Sequence, residues 1–291
     1  MLATFLLLAA VAAKGQPAPP VYDPQLAYVK PGSRTSELYL ANADGSNAKR
    51  VLVNDGIDSV DLSPAGNLLA YSDAQGIKLL DFSAGANGIT AGAPRLLVAG
   101  GTTPDFSEDG SRIIYRVLAD STVRSIPTTG GTPTTLFTGV CSSPRWLRQA
   151  DMGNAFACWR AQSGAPIVYQ AWVFLLDGSD QVVSAGPVVS SDSQPFDMID
   201  DRLDVARTRN ALLIVTDYPS YPSVLEVNLQ TGATTPRGSG NGVHSSRGDT
   251  RILTVSPHSS SGDFIEALDV ATGRVTPLTK KGTYGAFDAQ P

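Results

Sequence analysis

A tight polar turn followed at once by an apolar strand recurs along this chain at nearly constant spacing. It reads Ser63-Pro64-Ala65-Gly66-Asn67 before Leu68-Leu69-Ala70-Tyr71, and Ser107-Glu108-Asp109-Gly110-Ser111 before Arg112-Ile113-Ile114-Tyr115. It returns as Ser246-Arg247-Gly248-Asp249-Thr250 before Arg251-Ile252-Leu253-Thr254-Val255. Degraded copies are Ala206 to Asn210 before Ala211-Leu212-Leu213-Ile214-Val215, and the longer Leu147 to Asn154 before Ala155-Phe156-Ala157-Cys158-Trp159. Ser, Pro, Asp, Gly and Asn preset turn dihedrals, while branched and aromatic residues fill a buried strand. A second signal alternates with the first: an apolar strand ending in a Gly-centred turn. Its copies are Leu38 to Ser46, Val173 to Ser179, Val227 to Gly232, Leu268 to Gly273 and Arg124 to Gly131. A sixth begins at Lys78-Leu79-Leu80-Asp81-Phe82, with its turn swollen by an insertion from Ser83 to Pro94. Asp-Gly and Gly-Gly between strands are strong hairpin signals.

Six units follow, starting near Leu26, Leu68, Arg112, Ala155, Ala211 and Arg251. Their length of about 40–45 residues is the period of a four-stranded propeller blade; the fourth is longer, with its excess around Ser190 to Asp201. The expected fold is all-β: a six-bladed β-propeller of four-stranded antiparallel blades. The first unit opens directly on the apolar strand Leu26-Ala27-Tyr28-Val29. The last residues, Phe287 to Pro291, are similar in pattern to the innermost strands Thr102 to Phe106 and Ser142 to Trp146. The C-terminal strand is therefore expected to complete the first blade and close the ring, which removes an open sheet edge.

Asn42-Ala43-Asp44-Gly45-Ser46-Asn47, with the Ser-Pro-x-Gly-Asn and Ser-Glu-Asp-Gly-Ser turns, resembles the TolB-type propeller repeat. The resemblance spans nearly all of the chain after its first residues and is clearest in units one to three and six. It implies the propeller fold, an exported location and a binding style of function. Only the propeller is expected, because the first blade leaves no room for the α/β domain that precedes it in TolB. The recurring Gly-His and Trp-Asp pairs of WD repeats are missing.

The chain has 291 residues, 28 of them Gly and 20 Pro, with a formal net charge of −5. No basic cluster offers a nucleic-acid footprint, and no segment is long and apolar enough for a transmembrane helix. Leu2 to Ala13 is a short apolar run followed by Lys14, Gly15 and a Pro-rich stretch. That pattern suits a signal peptide over residues 1–15, cleaved within Ala12–Gly15. A linker over 16–24 and the propeller over 25–291 follow, which places the protein in the periplasm or outside the cell. Cys141 and Cys158 flank one hairpin; a disulfide and two buried thiols both fit the sequence.

The chain carries no Gly-x-Ser-x-Gly elbow, zinc helix or phosphate loop, and no catalytic, cofactor or metal site is expected. Gly238 to Gly242 lies between strands and reads as a blade loop. Carboxylates cluster at Asp200/Asp201 and at Asp55, Asp58 and Asp61. Aligned turns place Asp61, Asp105, Arg145, Asp204 and His244 at one equivalent position in five units. Innermost strands surround the channel, so these five are candidates for a polar binding mouth; the competing reading has each bond locally or to a neighbouring blade. Tyr218 and Tyr221, in a stiff Pro-flanked loop, are candidate surface contacts. The expected role is an exported, monomeric, non-catalytic scaffold that binds a protein partner in the envelope or extracellular space. The alternative is a carbohydrate-active enzyme, a glycoside hydrolase or lyase with carboxylates in the channel.

Overall fold

The computed structural model describes residues 23–147, 154–162, 168–190, 198–216, 223–246, 249–256, 264–280, 282 and 287–289. Blade 1 contains β1 (Pro24–Pro31), β2 (Ser36–Asn42) and β3 (Lys49–Asn54). Blade 2 contains β4 (Ser59–Leu62), β5 (Leu68–Asp73), β6 (Gly76–Gly85), β7 (Gly88–Ala91) and β8 (Arg95–Ala99). Blade 3 follows with β9 (Gly101–Phe106), β10 (Arg112–Val117), β11 (Thr122–Pro127) and β12 (Thr134–Thr138). Blade 4 is β13 (Ser142–Trp146), β14 (Ala155–Gln162), β15 (Val168–Leu176) and β16 (Val182–Ser190). Blade 5 is β17 (Met198–Ala206), β18 (Ala211–Thr216), β19 (Ser223–Asn228) and β20 (Thr234–Ser239). Blade 6 is β21 (Asn241–Ser245), β22 (Arg251–Ser256), β23 (Phe264–Asp269) and β24 (Val275–Pro277). Finally β25 (Phe287–Ala289) pairs with β1, so the first blade runs β25-β1-β2-β3 and the ring closes with the C-terminal strand innermost.

The core is divided among the seams between blades. Strand alternation sends successive side chains to opposite faces, and here both faces are covered. Leu69 and Tyr71 pack back against Leu38 and Leu40 of blade 1, whereas Ala70, between them, packs forward on Phe106 and Ile113 of blade 3. Each of the six buried apolar clusters joins one adjacent pair of blades, including Leu26 and Tyr28 of blade 1 with Leu253 and Ile265 of blade 6. This is why the second strand of each unit reads as a continuous apolar run rather than an alternating one.

The turns that announce the repeat share their bonding. Ser63, Ser107 and Ser246 each accept, through Oγ, the N–H of the residue five ahead, at 3.1, 3.0 and 3.2 Å. Their own N–H groups donate to that same residue's carbonyl. The fourth turn residue is left-handed in each: Gly66 at φ 66°, Gly110 at 70° and Asp249 at 52°. Asp tolerates this region better than most non-glycine residues, so blade 6 keeps the turn without its glycine. The insertion in blade 2 forms a hairpin of β6 with β7, whose Ile89 is buried in the seam with blade 1.

Cys141 and Cys158 form a disulfide, with Cα atoms 5.6 Å apart. Cys158 occupies the register position at which blades 1 to 3 carry Tyr28, Tyr71 and Tyr115. Opposite it, β13 bulges between Ser142 and Arg145, so the two cysteines meet without being paired in the ladder. Closing a loop of sequence separation 17 is worth about 3 kcal/mol through the entropy of the unfolded chain. Replacing both cysteines with Ala should lower the unfolding free energy by about that amount, read as a lower urea midpoint with a somewhat larger m-value, because the uncrosslinked denatured chain exposes more surface.

Gly45, at φ 77°, closes the joint between the first and last blades, because a Cβ there would lie 1.7 Å from the carbonyl oxygen of Leu278. Gly45→Ala should therefore destabilise the fold by more than the ~1 kcal/mol typical of a left-handed glycine. A Gly232→Ala variant, also left-handed but with nothing closer than 3.9 Å, is the control in the same melts.

Candidate functional site: the ring around the channel

The innermost strands set the site. Asp61, Asp105, Arg145, Asp204 and His244 pair in register with Ala70, Ile114, Ala157, Leu213 and Leu253 of the adjacent strands, which are equivalent places in five blades. Backbone pairing adds a sixth member: Asp288 stands opposite Ala27 in blade 1. In β9, β13 and β21 a left-handed residue stands two positions before the ring residue: Thr103 (φ 50°), Ser143 (φ 47°) and Gly242 (φ 91°). Each lies in a bulge that shifts the register of its strand. Bulges bend a strand and re-aim its side chains.

Three ring carboxylates are latches between blades. The N–H of Phe106 donates to Asp61 Oδ2, that of Trp146 to Asp105 Oδ2 at 2.7 Å, and that of Ser245 to Asp204 Oδ2 at 2.6 Å. Each bond runs from one blade to the next and reaches the residue immediately after the ring position there. All three carboxylates are more than nine-tenths buried. A charged acceptor for a buried backbone N–H is among the stronger hydrogen bonds in a protein.

Blades 4 and 6 break the pattern. Arg145 cannot accept an N–H; its Nε lies 3.6 Å from Asp204 Oδ1, an ion pair across the seam to blade 5. His244 Nδ1 lies 3.6 Å from Asp204 Oδ2 on the other side. Asp204 is thus the hub of a contiguous Arg145–Asp204–His244 group spanning three blades.

A second polar group sits at the end of β5, which opens to the other ends of the strands. Asp73 accepts Lys78 Nζ at 2.7 Å, Asn54 Nδ2 at 2.6 Å and the N–H of Gln75 at 2.9 Å. Burial alone would raise its pKa, but these donors outweigh burial and hold the carboxyl below its ordinary range. Asp58, an exposed residue, moves the other way, pushed up by partial desolvation and by the charge of Asp73, and the fully buried Tyr71 is pushed up to about 12 by burial and the same charge. Asp58 was noted in the sequence; Asp73 was not, because it closes an apolar strand and lies in no motif.

The remaining aromatic candidates divide. Trp146 packs in the seam between blades 3 and 4, and Trp159 in the seam between blades 4 and 5. Trp172 is half-buried beneath the guanidinium of Arg160, 4.4 Å from the ring centre. Tyr218 and Tyr221 lie outside the described residues, as does the stretch 1–22; Asp200 and Asp201 lie in β17 with only their backbone described. Among the described residues no group of three His, Cys, Asp or Glu is placed to hold a metal ion, and no helix is long and apolar enough to cross a membrane.

A closed ring of six antiparallel blades with a polar inner rim defines the class: a six-bladed β-propeller. Its fold is that of the TolB-type propellers. TolB from Acinetobacter baumannii superposes with a TM-score of 0.68 over 94% of this chain and 68% of that one, at 16% identity. A TolB-designated protein from Agrobacterium tumefaciens gives 0.64 over 85% of this chain and 90% of that one, at 15% identity. An oligogalacturonate lyase in complex with manganese gives 0.55 over 83% and 70%, at 12% identity. No known family profile and no curated protein matches the sequence.

The latches generate a prediction. Asp105→Ala leaves the Trp146 N–H buried without its acceptor, which should cost about 1–3 kcal/mol. A double-mutant cycle with Asp61→Ala should be non-additive, because Asp61 holds the N–H of Phe106, the residue next to Asp105. Urea unfolding of the four proteins measures both quantities.

Proposed function

We propose that this chain is an exported, non-catalytic binding or scaffold module that engages a protein partner at the channel mouth. The carrying observation is the break in the ring. If the rim served cohesion alone, an acidic latch would suit every blade, yet blades 4 and 6 carry Arg145 and His244 around the Asp204 hub. Local departures from a structural rule concentrate at functional sites. Mixed charge on a rigid rim is suited to steering and orienting a partner. The Tyr218–Tyr221 loop joins β18 to β19 and is proposed as an additional contact. The disulfide supports an oxidising compartment, in keeping with the signal-type N-terminal run and a periplasmic or secreted location. The propeller is proposed to act as a monomer.

The test compares envelope proteins retained by the immobilised wild-type chain with those retained by the Arg145→Gln/His244→Gln variant. Specific partners should be lost or weakened at least tenfold, with the variant's melting temperature within a few degrees of wild type. Identical retention by both would overturn the assignment of the mouth.

A second reading, a carbohydrate-active enzyme, draws on the likeness to the oligogalacturonate lyase and on Asp58 and Asp73. Their opposite displacements are the separation that an acid and a base need. The described residues do not furnish a manganese ligand set, so no step is derived through a metal. Release of unsaturated products from pectate, abolished by Asp58→Asn, would replace the binding reading with this one.

A further inference from the structure

A cleft of about 380 Å³ opens where the last blade meets the first, lined by Asp44, Arg251, Ala267, Asp269, Thr272, Arg274, Thr276 and Leu278. None of the five ring residues lines it. Its volume is that of a small-molecule site. The repeat supplies an internal comparison that says what it accepts.

Arg251 and Arg112 are the same residue of the repeat, each the first of its strand and each bonded through N–H to the turn serine. Arg112 reaches the next blade and takes the carboxylate of Asp180 with both terminal nitrogens, at 3.1 and 2.6 Å. Arg251 reaches the next blade in the same direction. The turn it meets is built like the one that carries Asp180. Asn42 N–H bonds to Ser46 O as Asp177 N–H does to Gln181 O, and Gly45 N–H bonds to Asn42 O as Asp180 N–H does to Asp177 O. The left-handed position is Asp180 in one turn, at φ 61°, and Gly45 in the other, at φ 77°. The residue equivalent to the carboxylate partner is therefore glycine, and the Leu278 carbonyl forbids any side chain there. Arg251 instead gives one N–H to the Ala43 carbonyl at 3.1 Å. Its remaining side-chain donors make no hydrogen bond or ion pair with the described residues.

We propose that this cleft binds a small zwitterion of the amino-acid or short-peptide class, its carboxylate taken by the Arg251 guanidinium and its ammonium group held by Asp44 and Asp269. Planar two-point capture of a carboxylate is what arginine does best, and the Arg112–Asp180 pair shows the geometry at the equivalent place. Asp44 and Asp269 remain ionised to face the cation. Hydrogen bonds from Ser46 and Thr272 respectively hold their carboxyls below the ordinary range, and Arg251 adds to the effect. Arg274 and Thr276, both exposed, complete the polar wall.

The experiment is calorimetric titration of the chain with dialanine, alongside N-acetyl-dialanine, which lacks the ammonium group, and dialanine amide, which lacks the carboxylate. Saturable one-to-one binding of dialanine is expected, at least tenfold weaker for each blocked peptide. Arg251→Met should weaken dialanine binding at least tenfold, and Arg251→Lys should restore only part of it. Absence of saturable binding, amide binding as tight as that of dialanine, or wild-type affinity in Arg251→Met would each overturn the proposal. If Arg251→Met does not fold by circular dichroism, the blocked peptides and an Arg274→Gln variant, expected to bind at least threefold more weakly, decide the question.

Discussion

Seam packing is the constraint on which the rest of the molecule depends. Each blade is apolar on both faces, so its burial is completed only by the neighbour on either side. The ring is therefore one cooperative object, and the first blade is assembled from strands at opposite ends of the described chain. Burying sheets face to face leaves little room for water, and polar groups near the axis must find protein partners. The acidic latches answer that demand: each carboxylate spends its charge on a backbone N–H across a seam, fastening the same joint that the apolar slab fills.

The fold was legible because the repeat writes its turns in polar residues with clear dihedral preferences and its second strands in uninterrupted apolar runs. Ser63, Ser107 and Ser246 announce the same hydrogen-bonded turn. The closing strand was legible because the first unit opens on Leu26 without an innermost strand and the pattern of Phe287 to Pro291 supplies one. The swollen turn in blade 2 was visible as an insertion, but its folding into the β6–β7 hairpin, with Ile89 driven into a seam, depends on contacts distant in sequence. The disulfide was equally undecided in the sequence. The bulge in β13 brings Cys141 to Cys158, and Ser-Pro in a strand does not declare its register.

The ring positions were found from turn spacing, but the bonds they make were not. An aspartate two residues before a turn looks alike whether it faces the channel or reaches along the rim; alternation across the strand decides it. The Arg145–Asp204–His244 group required three blades to be placed side by side. Asp73 and the seam cleft escaped the sequence for a related reason: each is assembled where two blades meet, from segments that are not neighbours in the chain. Likeness to solved propellers at 12–16% identity settles the scaffold, and the chemistry rests on side chains particular to this chain.

The carbonyl of Leu278 acts as a steric veto on one corner of the molecule. Ordinary substitution could supply an acidic residue to neutralise a guanidinium on most surfaces, and blade 4 carries such a residue. At Gly45 that route is barred by backbone, which no side-chain change in Leu278 can move aside. Arg251 therefore lacks the paired carboxylate that Arg112 finds at the equivalent place, and the acidic residue its turn does supply, Asp44, stands one position earlier and acts on it through charge alone.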